Sequence, residues 1–269
     1  MASTRIVITG ASRGIGEALA LAYAGPKVSL VLMGRDGDRL DEVAARCRAA
    51  GAEAEAARAD IRDRQAMAGM LGRIDEARPI DLLIVNAGVQ MPTHPDPFEI
   101  GAAREEIETN LLGALNTVEP VAARMAARRR GQIALMSSLA AYAPLPDSPG
   151  YSASKAGLLV WGLSLRARLR PAGVKVSVIC PGYVDGGMGD RFKGWKLIVV
   201  PLDRTAARIR RGLAADRAVI AFPWPLTWIT RATPFLPEWL GRLVQASSRF
   251  RVEAQPSRSA RMDGGNQHG

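Results

Sequence analysis

Short apolar runs alternate with longer segments of helical period along most of the chain. Five runs are nearly continuous and rich in β-branched residues: RIVITG (5–10), KVSLVLMG (27–34), DLLIVNAG (81–88), GQIALMSS (131–138) and VKVSVICPG (174–182). Such runs are typical of parallel strands that are buried on both faces and joined by right-handed crossovers. A weaker strand at 52–60 and a late edge strand at 218–223 complete the prediction. The pattern therefore predicts an α/β fold, a doubly wound seven-stranded parallel sheet with helices on both faces.

The domain organisation follows from where the composition changes. Residues 1–222 contain no internal repeat and no Pro, Gly or Ser linker, so they are predicted to form one domain. Residues 223–251 are rich in Pro and Trp and are predicted to be an extension. Its apolar stretches are far shorter than the roughly 20 residues that span a bilayer, so no transmembrane segment is expected. The polar, Gly-rich residues 252–269 are predicted to be disordered.

Composition narrows the range of functions. The formal net charge is +10, but the basic residues are scattered, which favours a solvated surface over a nucleic-acid partner. Cys47, Cys180, His94 and His268 show no metal-ligand spacing, so no metal is expected. The first residues enter a strand without an apolar leader, and we therefore expect a cytoplasmic protein with free thiols.

A glycine-rich loop, TGASRGIG, follows the first strand and opens the first helix. Gly10 permits the sharp turn, Gly14 lets backbone amides approach a pyrophosphate, and Gly16 lets the helix lie close to the sheet. Ser12, Arg13 and Ile15 complete the loop. The helix N-terminus adds a positive dipole end, so strand, turn and helix together predict a Rossmann-like dinucleotide site.

The end of the second strand bears on the choice of cofactor. An acidic residue at this point would hydrogen-bond the ribose hydroxyls of NAD(H), but the strand ends in Gly34 and Arg35. Arg35 can face a 2′-phosphate, and Arg13 can reach the same region, because a guanidinium binds phosphate bidentately. NADP(H) is therefore favoured over NAD(H). Asp36, one residue further on, leaves a competing assignment.

Two tyrosines stand four residues before a lysine. Tyr23 precedes Lys27, but Pro26 intervenes and should end the helix near 25, so this pair should not share a helical face. Tyr151 and Lys155 have no helix breaker between them and should lie one turn apart on the same face. A lysine cation beside the phenol lowers its pKa, so the tyrosine could pass a proton to a carbonyl oxygen.

Two serines, Ser137 and Ser138, end the fifth strand and compete for the role of polarising that oxygen. Residues 4–222 resemble the short-chain dehydrogenase/reductase family in its single-domain form. The motifs that carry the resemblance are TGASRGIG, Asp60, NAG at 86–88, Asn110 in ETNLLG, Ser138, YSASK, and Pro181 with Gly182. A chance match to one of these is common, whereas the full set in this order is highly specific.

The resemblance implies a role for each matching residue. Ser138 would orient the substrate carbonyl, and Tyr151 would donate the proton in reduction. Lys155 would lower the tyrosine pKa and bind the nicotinamide ribose, and Asn110 would help hold a water chain. The cofactor cleft would be bordered by Asp60, Ile61, Asn86, Ala87, Gly88, Pro181, Gly182 and Val184.

One position departs from the family pattern. Gly186 stands where the family often has a threonine whose hydroxyl meets the nicotinamide carboxamide, so either the Val184 backbone binds this group or the glycines give the segment more freedom. The segment 186–202 suits either a mobile lid or a partly exposed loop with a packed Trp. Candidates for the substrate wall are Gln90, Leu139, Tyr183, Phe192 and Trp195, with Met91, His94 and Leu145 as further possibilities.

The expected activity is hydride transfer between NADP(H) and a carbonyl or secondary-alcohol substrate, as in a ketone or ketoacyl reductase. The alternatives are an NAD-dependent alcohol dehydrogenase and a non-catalytic nucleotide-binding scaffold. The resemblance also implies a homodimer or homotetramer through helices near 101–129 and 151–170. The 223–251 extension is expected to be buried in the oligomer; peripheral membrane contact is the second choice and would fit a lipid-like substrate.

Overall fold

A computed structural model of the chain describes residues 4–93, 102–186, 189, 192–193, 198–237, 239–240 and 251–253. The strands are, in chain order, β1 Thr4–Thr9, β2 Val28–Gly34, β3 Glu53–Arg58, β4 Leu82–Val85, β5 Gly131–Met136, β6 Val174–Pro181, β7 Tyr183–Val184, β8 Phe192–Lys193, β9 Val199–Val200, β10 Val219–Phe222 and β11 Arg251–Val252. The helices are α1 Gly14–Tyr23, α2 Gly37–Ala49, α3 Arg64–Ala77, α4 Ala102–Ile107, α5 Gly113–Ala127, α6 Pro149–Leu169, α7 Leu202–Ala214 and α8 Trp224–Ala232.

Seven of the strands form one parallel sheet in the order β10-β6-β5-β4-β1-β2-β3. The predicted seven-stranded sheet is therefore confirmed, including the weak strand β3 and the late strand β10, which form its two edges. Two pairs of short strands lie outside this sheet, with β7 parallel to β9 and β8 antiparallel to β11.

Helices cover both faces of the sheet, because successive strand side chains point to opposite sides. In β2, Leu30 and Leu32 pack into a core with α1, α2 and α7. Val31 and Met33 point the other way, into a core with α3, α5 and α6. Burial on both faces explains why the central strands are apolar at nearly every position.

The helix that follows β1 ends where its sequence predicts. α1 stops at Tyr23, and Lys27 lies beyond it with a backbone φ of 64°. Instead of meeting Lys27, the Tyr23 ring lies 5.0 Å from the guanidinium carbon of Arg210 in α7. The first Tyr-Lys pair is therefore not a pair in space, as predicted.

The described part of the 223–251 extension begins with α8, which packs against β10 and against a 3₁₀ turn at Leu139–Ala141. Its outer side is apolar, with Trp224 and Trp228 largely exposed. No helix in the described ranges has both the length and the apolar character to cross a membrane. The boundary at residue 222 stays a prediction. In the tail predicted to be disordered, 252–269, Val252 is buried and paired in β11, and residues 254–269 lie outside the described residues.

Candidate active site

A cleft of about 980 Å³ opens along the edge of the sheet where β1, β2, β4, β5 and β6 end. It is lined by these predicted residues: Gly10, Ser12, Arg13, Gly14, Ile15, Arg35, Asp60, Ile61, Asn86, Ala87, Gly88, Gln90, Ser138, Leu139, Tyr151, Lys155, Pro181, Gly182, Tyr183 and Val184. Ligands bind at the carboxyl ends of strands in open α/β sheets, so the position agrees with the fold. The Phe192 side chain, Trp195 and His94 lie outside the described residues.

The glycine loop forms the floor of this cleft. Gly10 and Gly14 have backbone φ angles of 67° and 59°, which residues with a Cβ rarely adopt. A Cβ on Gly16 would lie 2.2 Å from the Gly10 carbonyl oxygen, so only glycine lets α1 lie this close to the turn. The Asn86 side chain fixes the turn by donating to the carbonyls of Thr9 (3.1 Å) and Gly10 (3.0 Å). This cradle fits a dinucleotide pyrophosphate.

The residues that follow β2 differ in what their side chains contact. The Asp36 carboxylate caps α2, accepting from the Arg39 backbone N–H at 3.4 Å and pairing with the Arg39 Nε at 3.3 Å. Arg35 lines the cleft together with Arg58 from β3, and Asp36 and Asp38 line the same part of it. The strand register aligns Arg58 with Gly34, so the two arginines reach the same end of the site. Sequence reasoning missed Arg58, because strand register is set by pairing that local sequence does not reveal.

Asp60 lies beyond the end of β3 at the same end of the cleft. Its carboxylate accepts hydrogen bonds from Arg62, with the shortest to Nη2 at 2.6 Å. These bonds hold the pKa of Asp60 below its ordinary value, against the opposing effect of burial. The carboxylate therefore stays ionised and anchored to its own turn.

Ser138, Tyr151 and Lys155 face one another where β5 ends and α6 begins. The Ser138 hydroxyl lies beside Tyr151 and favours its ionised form. Lys155 is buried, its Nζ donates to the Met136 carbonyl at 2.9 Å, and the same Nζ lies 5.6 Å from the Tyr151 ring centroid. Both hydroxyl-bearing residues thus line the cleft, with the amine next to the tyrosine ring.

The structure separates the two serines that the sequence left in competition. Ser137 is buried, and its Oγ donates to the Lys155 backbone carbonyl at 2.8 Å. Ser138 instead lies beside Tyr151, and its Oγ accepts from the Ala140 N–H at 3.1 Å. Ser137 therefore supports α6, and Ser138 is the serine that contacts the tyrosine.

The pKa of Tyr151 differs from the one that the sequence predicts. Burial raises the pKa of Tyr151 to about 12, although the hydrogen bond with Ser138 opposes this rise. Burial also lowers the pKa of Lys155 to about 8. The expectation of a lowered tyrosine pKa considered the lysine cation but not the removal of both groups from water, which is the larger effect here.

Asn110 lies behind the cleft, in a π-helical turn at Glu108–Leu112 between α4 and α5. It is fully buried; its Oδ1 accepts from the Val89 N–H at 2.7 Å, and its Nδ2 donates to the Val89 carbonyl at 2.9 Å and to Ser154 Oγ at 3.0 Å. A Cβ on Gly88 would lie 2.9 Å from Asn110 Oδ1 and 3.2 Å from Lys155 Nζ. Single π turns are frequent at functional sites, and this one aims an amide at the loop after β4.

The Gly186 departure has a conformational explanation. Its φ is 84°, and a Cβ there would lie 2.9 Å from Leu202 Cδ1. A threonine would be strained at this φ and would collide with the start of α7. In this chain the backbone after β7 therefore takes a course that only glycine follows.

The apolar wall of the cleft includes residues that sequence reasoning missed. Leu139, Leu145 and Tyr183 were predicted, and α8 with the turn after it adds Leu226, Ile229, Thr230 and Thr233. Three of these, at 226, 230 and 233, recur at helical spacing, so one side of α8 faces the cleft. That spacing was readable, but nothing local indicated that the extension folds back onto the site.

Comparison with known proteins identifies the family to which the chain belongs. A sequence model of the family described as short chain dehydrogenase matches residues 4–196, which include the glycine loop, the Ser-Tyr-Lys group and Asn110. The chain belongs to the short-chain dehydrogenase family. It is 33% identical over 232 residues to an uncharacterized oxidoreductase of Myxococcus xanthus, covering 86% of this chain and 92% of that protein.

Two further similarities concern proteins with more descriptive names. The ketoacyl reductase HetN of a Nostoc species is 34% identical over 180 residues, which are 66% of this chain and 63% of that protein. A short-chain dehydrogenase from Sphingobium yanoikuyae, solved in complex with NADPH, matches with a TM-score of 0.75 and 25% identity, over 95% of this chain and 99% of that one.

Fold, site and family agree on the class of chemistry. This short-chain dehydrogenase is an NAD(P)-dependent oxidoreductase that acts on alcohol and carbonyl groups of small molecules. Within the described ranges, no three His, Cys, Asp or Glu side chains are grouped as a metal site would require.

Proposed function

We propose that the chain is an NADP(H)-dependent reductase of ketones or ketoacyl compounds, with Tyr151 as the proton donor. The observation that carries this proposal is that Ser138 and Tyr151 lie side by side in the cleft, with the Lys155 amine next to the tyrosine ring. Two hydroxyls can donate to one carbonyl oxygen, which is where negative charge develops when a hydride adds to the carbonyl carbon. The nicotinamide supplies that hydride when bound.

The ionisation of the site suits reduction near neutral pH. With its pKa raised to about 12, Tyr151 keeps its proton and is available as a general acid. Ser138 holds the carbonyl oxygen next to the tyrosine hydroxyl. The hydrogen bond from Lys155 Nζ to the Met136 carbonyl on β5 keeps the amine next to the Tyr151 ring. Asn110 holds the adjoining loop through Val89.

The preference for NADP(H) rests on the adenosine end of the cleft. Arg13, Arg35 and Arg58 line this region. Asp36 and Asp38 follow the second strand and also line it, but the Asp36 carboxylate caps α2 and pairs with Arg39. Guanidinium groups bind phosphate through parallel hydrogen bonds, whereas an NAD(H) site needs an acceptor for the ribose hydroxyls. The charges therefore favour a 2′-phosphate.

The substrate is proposed to be a bulky apolar carbonyl compound. The lining of the cleft includes the aliphatic side chains of Leu139, Leu145, Leu226 and Ile229. The ketoacyl reductase name of a relative points to the same class. Gln90 is the polar side chain that could fix the orientation of such a substrate.

The test follows NADPH oxidation across ketones and ketoacyl compounds of increasing chain length. Tyr151→Phe should lower kcat at least about 100-fold, because it removes the general acid and leaves the ring. Tyr23→Phe, in the other Tyr-Lys pair, is the matched control and should keep full activity. Unchanged activity in Tyr151→Phe would support the non-catalytic scaffold.

The cofactor preference is tested separately. Arg35→Ala should lower kcat/KM for NADPH about 10–100-fold, the effect of losing a charge-assisted hydrogen bond, with little change for NADH. Arg46→Ala removes a guanidinium of α2 that pairs with Glu17 outside the cleft lining, and serves as the control. A wild-type protein that binds NADH more tightly than NADPH would instead establish the NAD-dependent alcohol dehydrogenase.

We also propose a homo-oligomer. Leu112 and two residues on the outer side of α6, Val160 and Leu163, are exposed apolar side chains on the helices that the family pairs. The exposed Trp224 and Trp228 on α8 would be covered in a larger assembly, since apolar patches are seldom left in water. Light scattering measures the subunit number; a monomer that binds vesicles would favour membrane contact.

A further inference from the structure

Glu106 is a buried carboxylate that the proposed reaction does not use. It lies in the last turn of α4, four residues before Asn110, and is 3% exposed. Burial of a carboxylate is costly unless it is paired or hydrogen-bonded. Among the described residues no Lys or Arg lies within ion-pair distance of it, so hydrogen bonds must offset the cost.

Groups from two segments surround this carboxylate. The Met91 N–H donates to Oε1 at 2.9 Å, and the Tyr151 N–H and the Ser148 hydroxyl are near enough to lower the pKa of Glu106, although burial raises it more. The contact leaves no room for a side chain between the helices, because a Cβ on Gly150 would lie 2.6 Å from Glu106 Oε2 and 2.4 Å from Ala103 Cα. The carboxylate is therefore wedged against the first turn of α6.

The two segments that Glu106 joins both face the cleft. Met91 belongs to the loop after β4, whose residues 86–90 line the cofactor and substrate region. The first turn of α6 carries Tyr151, and its N–H groups have no partner within the helix. Ser148 extends the link, since its Oγ also accepts from the Gln90 side chain at 3.2 Å. An anion at a helix N-terminus also interacts favourably with the helix dipole.

We propose that Glu106 is a positioning residue, which fixes the backbone of Tyr151 against the loop 86–93 and so sets the place of the tyrosine hydroxyl in the cleft. It acts through the Tyr151 N–H and does not touch the reacting atoms. The proposal rests on the proposed function only where it concerns catalysis. The structural link between loop and helix stands without it.

The charge of Glu106 has a second effect that makes the role measurable. It raises the pKa of Tyr151 and that of Lys155, the two ionisable groups facing it from α6. Glu105 is the charged neighbour on its own helix, Cys180 of β6 also acts on Tyr151 and Lys155, and the loop 86–93 carries no titratable side chain. Removing this charge should therefore lower both pKa values.

The variant to test is Glu106→Gln. The amide keeps one acceptor oxygen but places an NH₂ group against donors, so the link should loosen with little change in volume. We expect kcat to fall about 10–100-fold, as for a displacement of roughly 1 Å, while the Kd for NADPH changes less than about 3-fold. The basic limb of the kcat profile should move to lower pH. Glu105→Gln removes the same charge one residue away and should show neither effect.

Hydrogen exchange tests the link without reference to turnover. In Glu106→Gln the amides of 89–93 and 149–152 should exchange faster, and those of Glu105→Gln should match the wild type. If the wild type binds NADPH but reduces no carbonyl compound, the proposed function fails, and this measurement still decides the positioning role. Should Glu106→Gln not fold, Ser148→Ala removes one donor and should show smaller changes in the same amides.

Two results would overturn the proposal. One is a Glu106→Gln protein with unchanged kcat and pH profile and only a lower Tm, which would make the residue structural alone. The other is unchanged exchange in both segments.

Discussion

Asn110→Ala should destabilise the chain more than an ordinary helix substitution does. The Asn110 side chain is fully buried and makes three hydrogen bonds, two to the Val89 backbone and one to Ser154 Oγ. Alanine leaves the Val89 N–H and C=O without these partners. The Ser154 hydroxyl keeps its bond to the Tyr151 carbonyl, so its loss is smaller.

The size of the effect follows from these contacts. A hydrogen bond contributes about 0.5–1.5 kcal/mol net, and a buried group left unpaired costs about 1–3 kcal/mol. The Val89 groups are only partly buried, so water can replace part of what is lost. We expect the free energy of unfolding to fall by about 2–4 kcal/mol, with faster amide exchange at Val89.

Urea denaturation measures this loss as a lower midpoint with an unchanged m-value. Asn116→Ala, on α5, is the matched control. The Asn116 side chain donates to the carbonyls of Ile61 (3.0 Å) and Arg62 (3.3 Å) at a more exposed place, so about 1 kcal/mol is expected. If Asn110→Ala costs no more than Asn116→Ala, the account of Asn110 as an anchor of the loop is refuted.

Two further predictions concern the lysine and the glycine loop. Burial lowers the pKa of Lys155 to about 8 from 10.5, so between these values the unfolded chain binds more protons and the unfolding free energy rises with pH. Lys155→Met should flatten that slope. At pH 7 it should be more stable than the wild type by about 1–2 kcal/mol, while losing activity. Urea titrations at pH 8 and 10 measure the slope, and an unchanged slope would contradict this. Gly16→Ala should weaken NADPH binding more than about 10-fold, because its Cβ would lie 2.2 Å from the Gly10 carbonyl oxygen. Gly25→Ala, whose Cβ would have no atom within 4 Å, is the control and should bind NADPH normally. Fluorescence titration of NADPH compares the two variants.

The parts of the fold that the sequence predicted are those encoded locally. Burial on both faces leaves continuous apolar runs, so the five central strands were readable, whereas the edge strands β3 and β10 gave weaker signals. The break at Pro26 and the uninterrupted helix from Tyr151 to Lys155 separated a coincidental pair from one that shares a helical face. In each case a few neighbouring residues carry the information.

The features that escaped prediction depend on contacts between distant segments. Arg58 reaches the cleft through strand register, and the α8 wall through packing of the extension against the 3₁₀ turn after β5. The raised pKa of Tyr151 arises from burial, which a spacing of residues does not express. Glu106 looks like one of several acidic residues in a helix until the fold brings Met91 and Tyr151 to it.

The position of α8 makes the two halves of the site separable. The nucleotide half is built from the ends of the central strands, whereas the aliphatic wall comes in large part from one short helix near the end of the chain. Exchanging that helix for another of similar length would alter which carbonyl compounds fit and leave the hydride chemistry in place. The residues that bind the nucleotide and the helix that shapes the substrate wall thus come from separate parts of the sequence.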